Sequence, residues 1–235
     1  MRLSIFTATH NPAYLPEVYE SIKQQSFDEW VILYNNGAQQ LGLNMKDPRI
    51  KEHIADKPIH GVGLAKKLAV EKCTGDILVE LDHDDLLVPG TIPKIRSAFA
   101  SNPSVGFVYS NALYCNMDWS LRQRFDSRFG WEYRQTEFKG HMLDEPISFQ
   151  PTPSSVARIW YAPDHVRAFK RSVYDEVGGY NPELEILDDQ DLMCRMYLVT
   201  NFYWINEALY VYRVHEDNTW LDKNKAIQDG VMPMY

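Results

Sequence analysis

The sequence predicts an α/β protein with an open, mostly parallel sheet and helices on both faces. Two observations carry that prediction. Apolar runs of about five residues, bounded by polar turns, alternate with segments whose apolar residues recur at helical spacing through about residue 110, the pattern of βαβ units. The runs also end in polar clusters, Thr9 to Asn11, Asn35-Asn36 and Asp82 to Asp85. In an open α/β sheet the ligand crevice lies outside the carboxyl ends of the strands.

Residues 3–7, LSIFT, stop at His10, Asn11 and Pro12 and read as a buried strand entering a loop. A helix should follow: Asn11 can cap it, Pro12 falls in its first turn, and Leu15, Val18, Tyr19 and Ile22 share one face. Residues 30–34 give a second buried strand, cut by Asn35-Asn36-Gly37. Parallel strands need a crossover helix between them, so this opens a βαβ unit. Residues 61–72 place Leu64, Ala65, Leu68 and Ala69 at helical spacing and end at Thr74-Gly75. Residues 77–81, ILVEL, are a third strand that runs straight into Asp82-His83-Asp84-Asp85, and a helix near 92–99 and a strand at 105–109 follow.

From residue 111 to about 166 the periodicity fails. Trp119, Trp131, Tyr133, Phe138, Trp160 and Tyr161 are scattered among Gly, Pro and charged residues, and no element is assigned there. Beyond it, residues 171–177 read as a short helix closed by Gly178-Gly179. Residues 189–199 read as a longer helix with Leu192, Met193, Met196 and Tyr197 on one face, and FYWI from Phe202 and LYVY from Leu209 as two closing strands. Without internal repeats, low-complexity tracts or a linker, residues 1–235 are expected to form one domain.

Composition narrows the function. With 24 Lys+Arg against 32 Asp+Glu, a formal charge of −8, the chain lacks the basic face that grips nucleic acid or an anionic membrane. Cys73, Cys115 and Cys194 are few, odd in number and widely spaced, so neither a disulfide framework nor a structural zinc site is expected, and a reducing compartment is. No apolar run reaches the ~18 residues of a membrane-spanning helix, and the N-terminus turns polar too early for a signal peptide. A cytoplasmic location follows as the expectation, compatible with loose association at a membrane surface.

The most informative polar cluster is Asp82 to Asp85. In extended backbone, residues i and i+2 project to one side, so Asp82 and Asp84 can face one ligand while His83 points away. Paired carboxylates suit Mg²⁺ or Mn²⁺, which complete their shells with water and substrate phosphates. The plainer alternative is a polar turn after a strand.

The stretch GVGLAKKLAVEKCTGDILVELDHDD resembles the segment of family 2 glycosyltransferases, of the GT-A fold, in which a glycine-led helix with an Ala-Arg-Asn triplet precedes a strand and an Asp-any-Asp motif. Ala65, Lys66 and Lys67 occupy the triplet here, and Asp82-His83-Asp84 the motif. SIFTATHN resembles the family's opening strand. FKRSVYDEVGGYNPELEILDDQDLMCRM resembles the segment where a Gly-Gly-aromatic turn leads to a Glu-Asp motif opening a helix, with Asp188 and Asp189 in that motif.

The resemblance covers roughly the first 110 residues and residues 168–218 and implies a GT-A domain with a nucleotide-sugar-binding half, residues 1–110, and an acceptor-binding and catalytic-base half, residues 111–235; the unmatched, aromatic-rich residues 111–168 are expected to form the acceptor region. It implies transfer of a sugar from a nucleotide-diphosphate sugar, most commonly a UDP-sugar, to a glycan or glycoconjugate acceptor hydroxyl. Inversion at the anomeric carbon and a role in polysaccharide or glycoconjugate synthesis come with it. Mn²⁺ or Mg²⁺ would sit on Asp84 and Asp82 and neutralise the leaving diphosphate. Asp189 would be the general base, favoured in its ionised form at a helix N-terminus, with an N-cap as its other role and Asp188 as fallback base. Thr9, Asn11, Asn35, Lys66, Asp82 and His83 would line the donor site.

His215 resembles a histidine that in some members adds a metal ligand; a packing histidine is the alternative. Arg213 would meet the diphosphate or form a structural salt bridge. Trp119, Trp131 and Trp160 would recognise acceptor sugars or serve as core. After the second strand the family generally shows Asp-Asp-Gly-Ser, whereas this chain has Asn35-Asn36-Gly37-Ala38, which puts donor identity in question. Two rivals remain: a nucleotidyltransferase, for which ATHNPAYL lacks the expected glycine, and a catalytically degenerate nucleotide- or sugar-binding module. Homo-oligomerisation is left open. Residues 76–85 and 183–191 each hold five acids and no Lys or Arg, which concentrates the chain's acidity in the segments expected to carry metal and base.

Overall fold

In a computed structural model, residues 1–158 and 164–215 are described. Strands β1 (Leu3–Thr9), β2 (Glu29–Tyr34) and β4 (Ile77–Glu80) are buried almost throughout, as strands covered on both faces must be. Strand β3 (Ile50–Ile54) lies at the sheet edge. The main path is completed by β5 (Leu86–Leu87), β6 (Val105–Asn116), β9 (Arg167–Lys170) and β10 (Asn201–Val214), in the order β3-β2-β1-β4-β9-β6-β10-β5. Along it only β9 and β5 run against the other strands, so the expected mostly parallel sheet is present. A hairpin of β7 (Tyr133–Phe138) and β8 (His141–Pro146) branches from β6.

Helices cover both faces. Because alternate strand residues point to opposite sides, Leu3, Ile5, Trp30 and Ile32 pack against α1 (Leu15–Ile22) and α3 (Thr91–Ser101), through Val18, Ile22, Ile95 and Phe99. Phe6, Val31 and Leu33 face the opposite layer of α2 (Val62–Glu71), α5 (Arg171–Glu176) and α6 (Asp188–Tyr197). A short helix, α4 (Pro153–Arg158), lies beside α6. None of the helices among the described residues is long and apolar enough to cross a membrane.

Several elements depart from the sequence expectation. The two closing strands are one: β10 runs through Asn206-Glu207 beside β6, with register irregularities between Ile205 and Tyr210, because a bulge lets pairing resume past two polar residues. In the unassigned middle, β7 and β8 are joined by Lys139-Gly140, both at positive φ (51° and 83°), the geometry of a tight two-residue hairpin turn. Polar YRQTEF hides β7 from a hydrophobicity reading. Strand β3 is likewise polar at Lys51, Glu52 and His53, and β9 is only four residues long. Trp160 and Tyr161 lie outside the described residues.

Candidate active site

The carboxyl ends of β1, β2 and β4 open onto a cavity of about 470 Å³, closed on its other side by the starts of α2 and α6, by Arg167 and by His215. Glycines bring those helix starts together. A Cβ on Gly63 would stand 2.8 Å from Asp188 Cβ, and one on Gly61 would stand 3.0 Å from the Leu184 carbonyl. Their absence allows the loop before α6 to lie against the first turn of α2.

Behind the lining residues Lys66 and Arg167, Glu80, 1% exposed, accepts from Lys66 Nζ at 2.6 Å, Arg167 Nη1 at 3.3 Å and the Tyr180 hydroxyl at 2.8 Å. Arg167 faces Glu80 because β9 pairs antiparallel with β4 and sets the two opposite each other. Lys66 also stands 3.5 Å from Asp188 and 3.8 Å from Asp82, and Arg167 stands 2.8 Å from Asp189. Two buried cations thus tie one carboxylate to three cavity carboxylates.

These neighbours set the proton affinities. Burial pushes Glu80 up, but Lys66 and Arg167 outweigh it and hold the carboxyl at about 2. Burial also opposes ionisation of Asp189, and Arg167 followed by Lys66 brings it below the usual carboxylate range. Asp188 is raised to about 6 by burial against the pull of Lys66, and Asp82 to about 7 by burial, with Glu80 and Asp84 adding to it. Asp189 leaves 33% of its side chain open, against 7% for Asp188. Asp189 is therefore both ionised and reachable. The N-cap position of α6 is Leu187, at φ 63°, so Asp188 and Asp189 fill the first turn and Asp189 is not the cap.

Across the cavity, Asp84 Oδ2 lies 2.7 Å from His215 Nε2, and that contact keeps Asp84 ionised despite burial. A carboxylate and an imidazole converging on one point fit a divalent cation such as Mn²⁺, although Asp82 groups with Glu80 and His165 and not with this pair. Glu80, Asp82 and His165 also bring ligating atoms within 4.8 Å of one another, but the Lys66 ammonium already supplies the positive charge there.

Of the expected donor-site residues, Asn11, Asn35, Lys66, Asp82 and His83 line the cavity. Thr9 does not: it is fully buried, and its hydroxyl accepts from the Asn11 N–H at 3.1 Å, so it shapes the turn instead. His83 does not point away, because Asp82 to Asp85 form a turn rather than extended strand, and its ring meets that of His10 at 5.2 Å. Lys66 reaches the cavity with its ammonium engaged by carboxylates. Asn36 is committed to structure, exchanging two hydrogen bonds with the Ile59 backbone at 2.8 and 3.0 Å. Arg213 takes the structural role: it is 1% exposed, pairs with Glu17 and donates to the Asp84 carbonyl. Asp85 anchors the same turn by accepting from the Arg213 N–H and the Tyr210 hydroxyl.

Sequence reasoning missed Glu80, Tyr180, His165 and Arg167. A charge inside the apolar run ILVEL was a usable signal for Glu80; Arg167 and His165, around a four-residue strand, gave none. Trp119 stacks on His141 at 5.1 Å within the hairpin's own packing, and Trp131 stacks on Phe125 at 4.5 Å.

Comparison with known proteins agrees with this geometry. The sequence profile of Glycosyl transferase family 2 matches residues 4–178, from β1 through the Asp-any-Asp turn and β9 to the Gly178 turn. The chain belongs to that family. Among family 2 relatives, the hyaluronan synthase of Pasteurella multocida is 25% identical over 229 residues, 94% of this chain and 21% of that protein. The chondroitin synthase of Escherichia coli is 24% identical over 231 residues, 94% of this chain and 30% of that protein. The chain thus spans less than a third of the length of these relatives. In fold, this family 2 chain is similar to S. aureus TarS 1–349 in complex with UDP-GlcNAc, with TM-score 0.68 and 16% identity over 93% of this chain and 60% of that one. It is also similar to the mannosyltransferase PcManGT from Pyrobaculum calidifontis in complex with GDP-Man and Mn²⁺, with TM-score 0.61 and 16% identity over 97% and 65% of the two chains. The expected GT-A architecture is the one observed.

Proposed function

We propose that this domain transfers a glycosyl unit, with inversion, from a nucleoside-diphosphate sugar to a hydroxyl of a glycan or glycoconjugate during polysaccharide synthesis. One observation carries the reading: an ionised, accessible Asp189 and the Asp84–His215 pair line the same cavity. Similarity to polysaccharide synthases supports the acceptor class, and the nucleotide sugars bound by the structural relatives support the donor class.

Residues 1–110 form the donor half, with Asn35 and Asn11 toward the nucleoside. Residues 111–235 supply the acceptor side and the base. Asp189 takes the proton of the acceptor hydroxyl as that oxygen bonds to the anomeric carbon from the face opposite the leaving group. The bond from that carbon to the diphosphate oxygen breaks, and its electron pair leaves with the nucleoside diphosphate. Asp84, His215 and Asp82 would hold the divalent ion, whose chemistry is Lewis-acid neutralisation of that diphosphate. Arg167 keeps Asp189 ionised and oriented. Buried thiols at Cys73, Cys115 and Cys194 suit a cytoplasmic setting.

Calorimetric titration with UDP and GDP, with and without Mn²⁺, followed by donor-hydrolysis assays on a nucleotide-sugar panel, tests the reading. Metal-dependent nucleotide binding and turnover of at least one donor are expected; neither nucleotide binding in the presence of Mn²⁺ overturns it.

A further inference from the structure

Among the described residues, three buried polar atoms of cavity-lining residues lack a hydrogen-bond partner: His165 Nδ1, Arg167 Nε and Asp188 Oδ2. Asp188 has Lys66 nearby, and the Arg167 guanidinium is paired with Asp189 and Glu80. His165 Nδ1 has no such compensation, although the residue is only 5% exposed, and a buried nitrogen left without a partner is destabilising. Both its ring and its backbone are held in place. It stacks on Tyr210 at 4.4 Å and on Tyr212 at 5.7 Å, Ser110 Oγ donates to its carbonyl, and Ser110 Oγ accepts from the next N–H. Nε2 stands 3.9 Å from Asp164 Oδ1, the carboxylate that would favour a proton on that nitrogen. Burial, then Arg167 and Lys66, keep the ring neutral well below the ordinary histidine range. A neutral imidazole protonated at Nε2 leaves Nδ1 as a bare acceptor.

Strand order places His165 relative to the other cavity residues. Asn35 follows β2, Asp82 follows β4 and His165 precedes β9, with β1 lying between β2 and β4. Three strand spacings separate the β2 and β9 positions, roughly 14 Å. A nucleoside-diphosphate sugar laid across the sheet from Asn35 passes its diphosphate at Asp82 and Asp84 and brings its sugar to the Arg167–Asp189 side, where His165 waits. Phosphate oxygens are acceptors and offer Nδ1 nothing; sugar hydroxyls are donors.

We propose that His165 Nδ1 accepts a hydrogen bond from a hydroxyl of the glycosyl unit being transferred, making His165 a sugar-selecting residue of the donor site. The assignment rests on the transfer reaction proposed above.

His165→Phe keeps the ring stack and removes the acceptor; His165→Asn restores an acceptor near the Nδ1 position. Wild type and both variants are titrated calorimetrically, in Mn²⁺, with UDP, GDP, UDP-GlcNAc, UDP-glucose, UDP-glucuronate and GDP-mannose. In the Phe variant the best-bound nucleotide sugar should weaken about tenfold, its parent nucleoside diphosphate should stay within twofold, and the Asn variant should recover most of the loss. Equal losses for nucleotide and nucleotide sugar, or no loss in either, overturn the His165 assignment alone. Wild type that binds none of the six overturns the transfer reading along with it. Should the Phe variant not fold, single-deoxy forms of the best-bound sugar titrated against wild type replace it: a tenfold loss at one position supports the contact, and uniform affinity removes it.

Discussion

Arg167 Nη1 stands 2.8 Å from Asp189 Oδ2 and 3.3 Å from Glu80 Oε1. One guanidinium therefore ties the buried Glu80 to an accessible carboxylate on the cavity wall. Its fork can hold two carboxylates in fixed directions, which a lysine ammonium cannot.

Asp189→Asn should leave nucleotide binding intact and lower the transfer rate by at least about 100-fold, the lower end of general-base contributions. Asp188→Asn should cost less, since its carboxyl is mostly covered and raised to about 6. Single-turnover rates beside calorimetric nucleotide affinities make the comparison, and full activity in Asp189→Asn would reassign the base.

Arg167→Ala should move the acidic limb of kcat/KM to higher pH. The base acts ionised, and Arg167 lowers its proton affinity, so activity in wild type persists as pH falls until that lowered value is reached. Without the guanidinium, protonation sets in earlier and activity is lost at higher pH. Arg167→Lys should place the limb between the two. A pH–rate profile on the three proteins is the measurement.

Glu80→Ala should destabilise the fold by about 3–5 kcal/mol, because it removes the buried carboxylate shared by Lys66, Arg167 and the Tyr180 hydroxyl. Linkage gives a second readout. The folded Glu80 carboxyl is held at about 2, below the ordinary value of 4.5, so its stabilising contribution is fully present above pH ~4.5 and is lost as pH falls toward 2. Urea unfolding from pH 3 to 7 should therefore show a flatter pH dependence in Glu80→Gln than in wild type.

Gly63→Ala should cost about 1–3 kcal/mol, since the added methyl meets Asp188 Cβ at 2.8 Å and the Asn181 carbonyl at 3.1 Å. Pushing α2 from the start of α6 also separates Lys66 from Asp188. A fall in Tm with a rise in donor KM is expected; an unchanged Tm means the helix start yields freely.

Asp84→Asn should weaken Mn²⁺ binding by more than about tenfold, and His215→Gln by less, as read by electron paramagnetic resonance of the free ion. These losses are in the range that ligand-environment changes produce. Equal affinity in all three proteins removes the cation from the Asp84–His215 pair.

Much of this arrangement was legible in the chain. The runs at residues 3–7, 30–34 and 77–81 became β1, β2 and β4, and the polar clusters after them became the cavity rim. Local patterning suffices there because a strand buried on both faces must be apolar along its length, and because ligands gather where such strands end. The Asp82-His83-Asp84 spacing and the Asp188-Asp189 pair identified the acids that line the site. What local pattern could not convey was pairing over distance. Strand β9 inserts between β4 and β6 and sets Arg167 opposite Glu80, 87 positions away in the chain. Neither the four-residue length of β9 nor its mixed composition announces that partner. His165 enters the cavity by the same insertion, and a two-residue turn joins the polar strands of the hairpin. Local pattern along the chain was enough to name the acids that line this cavity. Which cations hold each of them was settled by long-range pairing, because those contacts form between segments that no local propensity connects.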